Sequence, residues 1–285
     1  MQKILDYLHT QHDQPVTLNE LAQVAGYSPF YFQRLCQQQL GIGPGKLHEL
    51  IRLQRGYYLL MYRKWLSITD IALECGYQSP DGFSRAFKRV TGVSPGQFKT
   101  QSLAAPAPLQ SYIQRWQQDV PTMTSSNAFH QQVSIVSLSP IKVCALRHTG
   151  HPGRLQGSIQ RFISWRRANK LPPATYRTFN FWHNDPHSVN PADFCFDVVC
   201  ERPARAVELD EDMRFDVIPA GRYARLNVVG GERAVEAAAN YITSDYLTET
   251  NQQSGDFPLI VERVSVYPDV PYHQAQCHIF LLLHK

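Results

Sequence analysis

The sequence of 285 residues predicts an all-α domain followed by an α+β domain. The first prediction rests on a helical motif that occurs twice before residue 100. The second rests on a change of pattern near residue 129, beyond which short runs of β-branched and aromatic residues replace the helical periodicity. We therefore expect one domain over residues 1–103, a linker over 104–128 and a second domain over 129–285.

The repeated motif recurs at an offset of 50 residues, which becomes 51 after one extra turn residue in the second copy. Residues 21–34 read LAQVAGYSPFYFQR, and residues 71–85 read IALECGYQSPDGFSR. Each copy predicts a helix, a turn that contains glycine, and a second helix opened by Ser-Pro. Ser28 and Ser79 suit the N-cap position of those second helices, with a proline at the first helical position. This is the layout of a helix-turn-helix, whose second helix can enter the major groove of DNA.

Three more helices complete the first predicted domain, which gives about seven in all. One runs from about residue 1 to residue 12, a long one joins the two motifs over about 44–64, and a short one follows Pro95. Residues 104–128 are rich in Ala, Pro, Ser, Thr and Gln, which is typical of a linker.

The second helix of each motif divides into an apolar face and a polar face at about 100° per residue. The residues that we expect to face the core are Phe32, Leu35 and Cys36 in the first copy and Phe83, Ala86, Phe87 and Val90 in the second. The opposite face carries the side chains that we predict to contact DNA: Phe30, Gln33, Arg34, Gln37, Asp81, Ser84, Arg85, Lys88 and Arg89.

The chemistry of the outward side chains divides these candidates by role. Arg pairs with guanine O6 and N7, and Gln with adenine N6 and N7, so Gln33, Arg34 and Arg85 are the predicted base readers. Ser84 suits a base or a phosphate, while Lys88 and Arg89 suit the DNA backbone. The alternative is that the helices only pack and that their basic side chains are solvated, which two matching copies make the weaker interpretation.

The charge distribution favours the same half of the chain. Residues 1–103 contain 11 basic and 7 acidic residues, whereas the remainder contains 17 of each. The excess positive charge therefore lies where phosphates would be neutralised. The six cysteines show no metal-ligand spacing, and no run approaches the roughly 18 apolar residues of a membrane span. We expect a soluble, cytoplasmic protein without a cofactor, a bound metal or a membrane partner.

The second predicted domain alternates strands with two helices, over about 155–169 and 232–243. This order predicts an antiparallel sheet with helices packed on it. The strand predictions cover residues 133–136, 143–147, 194–199, 215–218, 223–226, 259–261 and 278–282.

The second domain has enough aromatic residues to line a ligand pocket, although an α+β core needs aromatics too. The predicted lining consists of Trp165, Tyr176, Phe181, Phe194, Phe196 and Tyr223. Glu262 follows an apolar run, and a partly buried carboxylate among aromatics could hold the cation of a ligand. The alternative is that Glu262 pairs with an arginine of the protein, such as Arg263 or Arg225. No pattern typical of catalytic residues appears.

Both halves resemble known families. Residues 76–98, GYQSPDGFSRAFKRVTGVSPGQF, resemble the second motif of the AraC/XylS family of bacterial transcription regulators, and within it the MarA/SoxS/Rob type. Residues 181–186, 194–199, 218–224 and 258–268 resemble the GyrI-like ligand-binding domain. The second resemblance implies two related βαββ halves that form a groove, which in several relatives binds amphipathic and often cationic compounds.

Together these resemblances imply a ligand-responsive transcription regulator, an activator, rather than an enzyme. Its predicted partners are double-stranded DNA, read in two adjacent major-groove segments by a monomer, a small amphipathic effector that can be cationic, and RNA polymerase. Two alternatives remain: the second domain binds another protein, or it is a small-molecule hydrolase that uses a glutamate near the position of Glu262.

Overall fold

The computed structural model describes residues 2–11, 13–14, 16–101, 129–130, 132–185, 188–266, 269–271 and 274–284. The predicted linker over 104–128 lies outside the described residues, as do Pro186, Tyr267 and Pro268 of the second resemblance. The chain divides into two compact units, Met1–Val120 and Pro121–Lys285. Each unit has the class that the sequence predicts, helical in the first and α+β in the second.

The described part of the first unit contains seven α-helices, which agrees with the prediction of about seven. They are α1 (Gln2–Thr10), α2 (Leu18–Ala25), α3 (Pro29–Leu40), α4 (Pro44–Tyr62), α5 (Ile68–Glu74), α6 (Pro80–Thr91) and α7 (Pro95–Gln101).

The first helix of each motif begins with a capping box. The Thr17 side chain accepts from the Glu20 amide while Glu20 reaches back to the Thr17 amide, and Ser67 and Asp70 do the same at α5. In the turn that follows α2, Gly26 has φ 74°, a left-handed conformation that favours glycine. The capping boxes therefore determine where α2 and α5 begin, and Gly26 determines where α2 ends.

Helix α4 joins the two motifs because its two halves belong to different cores. Leu47, Leu50 and Ile51 pack with α1, α2 and α3. Residues farther along α4, from Leu53 to Met61, pack with α5, α6 and Phe98 of α7. Nineteen residues thus carry one apolar face from the first motif to the second.

The described part of the second unit has eight strands and three α-helices. Its elements in chain order are β1 (Val133–Leu138), β2 (Ile141–Thr149), a 3₁₀ turn (Pro152–Arg154), α8 (Leu155–Ala168), β3 (Thr178–Trp182), β4 (Cys195–Glu201), β5 (Met213–Ile218), β6 (Gly221–Val229), α9 (Glu232–Thr243), α10 (Asp245–Thr250), β7 (Leu259–Ser265) and β8 (Gln276–Leu282).

The eight strands form one antiparallel sheet in the order β1-β6-β8-β7-β3-β4-β2-β5. Strand β1 lies at one edge, yet only Ser139 and Pro140 connect it to β2, near the other edge. Pro219 and Ala220 make the corresponding short connection from β5 to β6. A two-residue connection spans only about 10 Å, so the sheet must curl to bring its edges together.

The second unit is an internal duplication. The segment β2-α8-β3-β4 matches β6-α9-α10-β7-β8, and both are preceded by a strand that pairs with the other half. The strand registers place Val143 at the position of Tyr223, an offset of 80 residues. Gly150 and Gly230 follow the same offset, and both have positive φ, 99° and 133°. These are the two related halves that the resemblance implies.

The curled sheet has a helix-covered face and a concave face. On the helix-covered face, α8 packs over β2 and β4, and α9 packs over β6 and β8. The described core of the concave face contains only residues of the sheet and its connections. Its buried members are Val143, Ala145, Phe179, Phe181, Val199, Ile218, Tyr223, Ile260 and Phe280.

Candidate functional site

Helix α3 presents its polar face to solvent. Its N-terminus is capped by Ser28, whose Oγ accepts from the Tyr31 amide at 3.3 Å. Phe32, Cys36 and Leu40 are buried, and Leu35 is half-buried. The four predicted DNA contacts on this helix are exposed: Phe30, Gln33, Arg34 and Gln37.

Helix α6 repeats this arrangement. The Ser79 Oγ accepts from the Gly82 amide at 3.1 Å, while Phe83, Ala86 and Phe87 are buried. Val90, also expected in the core, is half-buried. Four predicted contacts are exposed and Ser84 is half-buried; the exposed ones are Asp81, Arg85, Lys88 and Arg89.

The basic side chains of these two helices differ in whether another residue already holds them. In the described part of the chain, the side chains of Arg34, Arg85 and Lys88 form no hydrogen bond or ion pair. Arg89 instead pairs with Glu49 of α4, which also holds Lys46 at 2.7 Å. The side chains of Arg34, Arg85 and Lys88 are therefore available to bind DNA, whereas Arg89 would first have to break its ion pair with Glu49.

Two exposed aromatic residues flank Phe30 and were not among the predicted contacts. Tyr27 and Tyr31 have ring centroids 5.0 Å apart, and Phe30, with 80% of its surface exposed, is the most exposed of the three. Exposed apolar surface of this kind is typical of an interaction site. The signal in the sequence was the position of these rings beside the Ser28-Pro29 cap and next to the predicted contact Phe30.

The structure does not bring the predicted effector residues together. Trp165, Phe194 and Phe196 are buried on the helix-covered face, and Tyr176 packs against the same core. Phe181, Tyr223 and Glu262 lie on the concave face, because strand pairing aligns them there. Successive side chains of β3 and β4 point to opposite faces of the sheet, and this separates the two groups. The composition of the sequence does not show which residue points to which face.

Glu262 is buried and already has two cationic or polar partners. Its Oε1 accepts from Arg177 Nε at 2.6 Å, and its Oε2 lies 3.0 Å from His278 Nδ1. Burial alone would raise the pKa of Glu262, but the bonds from Arg177 and His278 outweigh burial and lower that pKa. Neither arginine expected from the sequence is the partner.

One of those two arginines has a different role. Arg263 lies on the helix-covered face, where its Nε donates to Asn180 and its terminal amino groups bind Glu232 at 2.8 and 3.0 Å. Arg177 pairs with Glu262 because β3 and β7 are neighbours, with Phe179 opposite Glu262. The Arg177 guanidinium also lies over the Phe179 ring, 4.9 Å from its centre.

A second charged cluster on the concave face surrounds Asp197, which has no exposed surface. Arg147 binds both carboxylate oxygens, at 2.9 and 3.1 Å, and Arg214 and His183 reach Oδ2 at 2.6 and 2.8 Å. Burial would raise the pKa of Asp197, but the bonds from His183, Arg147 and Arg214 hold it far below its ordinary value. The sequence analysis did not single out this residue.

Cys195 completes a group that has the chemistry of metal ligands. Ligand atoms of His183, Cys195 and Asp197 lie within 4.8 Å of one another. Both oxygens of Asp197 already accept hydrogen bonds from arginine, so the carboxylate is balanced by guanidinium groups. That arrangement disfavours a metal ion, because two arginines repel any cation placed beside them.

Comparison with known families identifies both halves. Residues 131–284 match the GyrI-like small molecule binding domain, and residues 21–101 match a helix-turn-helix domain. The chain is also similar to the HTH-type transcriptional regulator GlxA of Rhizobium meliloti, with 34% identity over 99 residues, 35% of this chain and 30% of that protein. The HTH-type transcriptional activator RhaR of Klebsiella pneumoniae is 31% identical over 105 residues, 37% of each chain. The chain thus matches about a third of the length of these relatives.

Among solved structures, an AraC-type transcriptional regulator from Chromobacterium violaceum is 27% identical, with a TM-score of 0.34, over 35% of this chain and 88% of that chain. The EcmrR C-terminal domain is 12% identical, with a TM-score of 0.44, over 54% of this chain and 98% of that chain. A search of the described helices for a long apolar segment that could cross a bilayer finds none.

Proposed function

Since the chain belongs to the GyrI-like small molecule binding domain family and carries an AraC-type helix-turn-helix domain ahead of that domain, we propose that it is a transcription regulator that binds DNA and responds to a small molecule. It would act in the cytoplasm, where it would bind two adjacent major-groove segments as a monomer and recruit RNA polymerase as an activator. The similarity to RhaR, which is named as an activator, supports that direction.

One observation carries the DNA-binding part of the proposal. Two helices of 12 residues, each capped by serine and opened by proline, expose an arginine at the matching position, Arg34 and Arg85. Neither arginine has a partner among the described residues. A capped helix N-terminus with free arginines is how helix-turn-helix proteins contact bases.

The test begins with selection of an operator from random DNA by the full-length protein. Arg34→Ala should then cost about 1–3 kcal/mol and relax specificity at one base pair, and Arg85→Ala should do so at a second position. Unchanged affinity and specificity in the double variant would contradict the assignment of both helices to base reading.

Lys88→Ala is the matched variant for a backbone contact. It should weaken all sequences to a similar extent and reduce the salt dependence of binding by about one unit, because one phosphate contact is lost. The measurement is the slope of log K against log salt concentration for wild type and variant. A change of base preference in Lys88→Ala would show that this residue reads sequence instead.

For the small molecule, we propose the concave face as the binding surface, with Glu262, Phe181 and Tyr223 among its residues. This face has no helix over it among the described residues and combines an aromatic floor with charged groups. An amphipathic ligand suits such a surface, because its polar part can contact the charges and its apolar part the half-buried side chains that pack on the buried rings, such as Val136 and Leu282. A change in operator affinity on adding a compound that raises the melting temperature would be the supporting result.

The second unit, in this proposal, is a binding domain and not an enzyme. Glu262 is the residue that a hydrolase would use, and both of its oxygens are occupied by Arg177 and His278. Turnover of a bound compound that is lost in Glu262→Gln would favour the hydrolase alternative.

A further inference from the structure

Arg225 is a charged residue of the concave face that the proposed function does not yet use. It lies on β6 between Ser134 of β1 and Phe280 of β8, and Phe280 belongs to the concave core. Its chain neighbours Ala224 and Leu226 pack in the core under α9. The Arg225 side chain therefore points to the concave side of the sheet.

Within the part of the chain that the structure describes, no carboxylate pairs with Arg225. Its Nε is enclosed by protein atoms and has no hydrogen-bond partner there. The residue as a whole is half-buried. A guanidinium group in this position is costly, because it has lost water at Nε without gaining an anion in return.

Each of the other described arginines named on this face has a carboxylate partner, although Nη1 of Arg214 is buried without a hydrogen bond. Arg147 and Arg214 share Asp197, and Arg177 holds Glu262. A ligand cation at Glu262 would therefore have to displace Arg177, whereas a ligand anion at Arg225 would displace no residue. Glu201, which forms no ion pair among the described residues, lies on β4, and three strands (β8, β7 and β3) separate β4 from β6.

We propose that the ligand of the concave face is an organic acid, whose carboxylate pairs with Arg225 and whose apolar part packs on the half-buried side chains of Val136 and Leu282. The inference rests on the proposed function, because it names the chemistry of the molecule that this same face binds. Arginine suits the role, since its planar group binds a carboxylate through two parallel hydrogen bonds. Glu262 is not free to bind a ligand cation, because it already pairs with Arg177.

The test uses the full-length protein and two matched sets of probes: octanoate, octylammonium and 1-octanol, and the corresponding 4-phenylbutyl acid, ammonium and alcohol. Calorimetric titration should show the acid of each set binding at least tenfold more tightly than its ammonium counterpart. Arg225→Gln should weaken both acids at least tenfold and leave the alcohols unchanged. Arg222→Gln is the matched control, since Arg222 lies on the same strand, is exposed and points to the other side of the sheet.

Arg225→Lys guards against a purely structural role, because it keeps the charge. It should retain acid binding within a few-fold, and its melting temperature should match that of Arg225→Gln. Tighter binding of the ammonium probes, or equal acid affinity in wild type and Arg225→Gln, would overturn the inference and leave a small-molecule regulator standing. If no probe of either set binds or alters operator affinity, the inference is wrong and the proposed effector function fails with it.

Discussion

Asp197 is the residue on which the concave face depends most for charge balance. A fully buried carboxylate is tolerated here because Arg147, Arg214 and His183 all contact it. The contacts join β2, β4 and β5 with the residue that follows β3, so one side chain ties four neighbouring segments of the sheet through its charge. Removing that charge would leave the Arg147 guanidinium without an anion, although Arg214 would keep its pair with Asp216 at 2.8 Å.

Asp197→Asn should therefore lower the free energy of unfolding by about 3 kcal/mol, within the range for breaking a buried ion pair. Urea denaturation of the full-length protein, followed in the second unit, measures the loss. Glu232→Gln is the control, because Glu232 is exposed and its pair with Arg263 should contribute less than about 1 kcal/mol. Similar losses in the two variants would show that burial of the Asp197 cluster adds nothing.

His48 makes the stability of the first unit depend on pH. Burial, and then the nearby charge of Arg52, lower the pKa of His48 to about 4, so the folded protein keeps this histidine neutral. The unfolded chain binds the proton near pH 6.5, so the contribution is complete above that pH and is lost as pH falls toward about 4. This contribution of His48 to the free energy of unfolding is at most about 3 kcal/mol.

Wild type should thus lose stability between pH 7 and pH 5 more steeply than His48→Leu, in which no group titrates at this position. Urea denaturation at the two pH values measures the difference, and the other histidines cancel in the comparison. Equal pH dependence in the two proteins would contradict a neutral, buried His48.

The residues of the two sites differ in how far the sequence could predict them. The outward positions of α3 and α6 follow from a period of 3.6 residues, so Arg34 and Arg85 could be named from local spacing alone. The partner of Glu262 is Arg177, 85 residues away, and only the pairing of β3 with β7 brings the two together. The register between β3 and β4 places Phe181 on one face of the sheet and Phe196 on the other.

At the scale of elements, α4 shows how one helix can be shared by two motifs. One of its two glycines, Gly56, contacts Phe83 of α6, and a Cβ at this position would lie 2.6 Å from the Phe83 ring. Phe83 is fully buried and cannot move away without opening the second core. The glycine is thus the small residue that allows α6 to pack closely on α4.

Gly56→Ala should destabilise the protein by about 1–3 kcal/mol through overpacking, although alanine is the better helix former. Gly157→Ala in α8 is the matched control, because a Cβ added at Gly157 would have no atom within 4 Å. That change should stabilise by up to about 1 kcal/mol. Thermal denaturation of both variants measures the two effects. If both substitutions stabilise the protein, the Phe83 side chain can move to accommodate a methyl group at position 56.

The elements themselves were predicted with uneven success for a physical reason. Helix boundaries in the first unit depend on caps and prolines within a few residues, and the predicted seven helices are confirmed. In the second unit seven of the eight described strands were predicted, but β3 (Thr178–Trp182) and the short helix α10 were missed. The order β1-β6-β8-β7-β3-β4-β2-β5 depends on pairings between distant segments. The offset of 80 residues between the two halves was not predicted, because it becomes visible only when the strand registers of the two halves are compared.

At the scale of the molecule, each hydrophobic cluster of the described residues lies within one of the two units. The two clusters of the first unit are built on α4, and the three of the second are built on the curled sheet. Each unit therefore buries its own apolar side chains, which is what a domain needs in order to fold alone.

A fragment of residues 1–103 should therefore bind the selected operator, and a fragment of residues 129–285 should melt in one cooperative transition. The two cores can form independently, because neither borrows a buried side chain from the other unit in the described parts. Electrophoretic mobility shift of the first fragment and calorimetry of the second test the two claims. The operator affinity of the first fragment should also be insensitive to any effector, since the proposed ligand face is absent from it. Two insoluble fragments, together with a single inseparable transition in the full chain, would mean that the units stabilise each other and that the effector signal passes through a shared core.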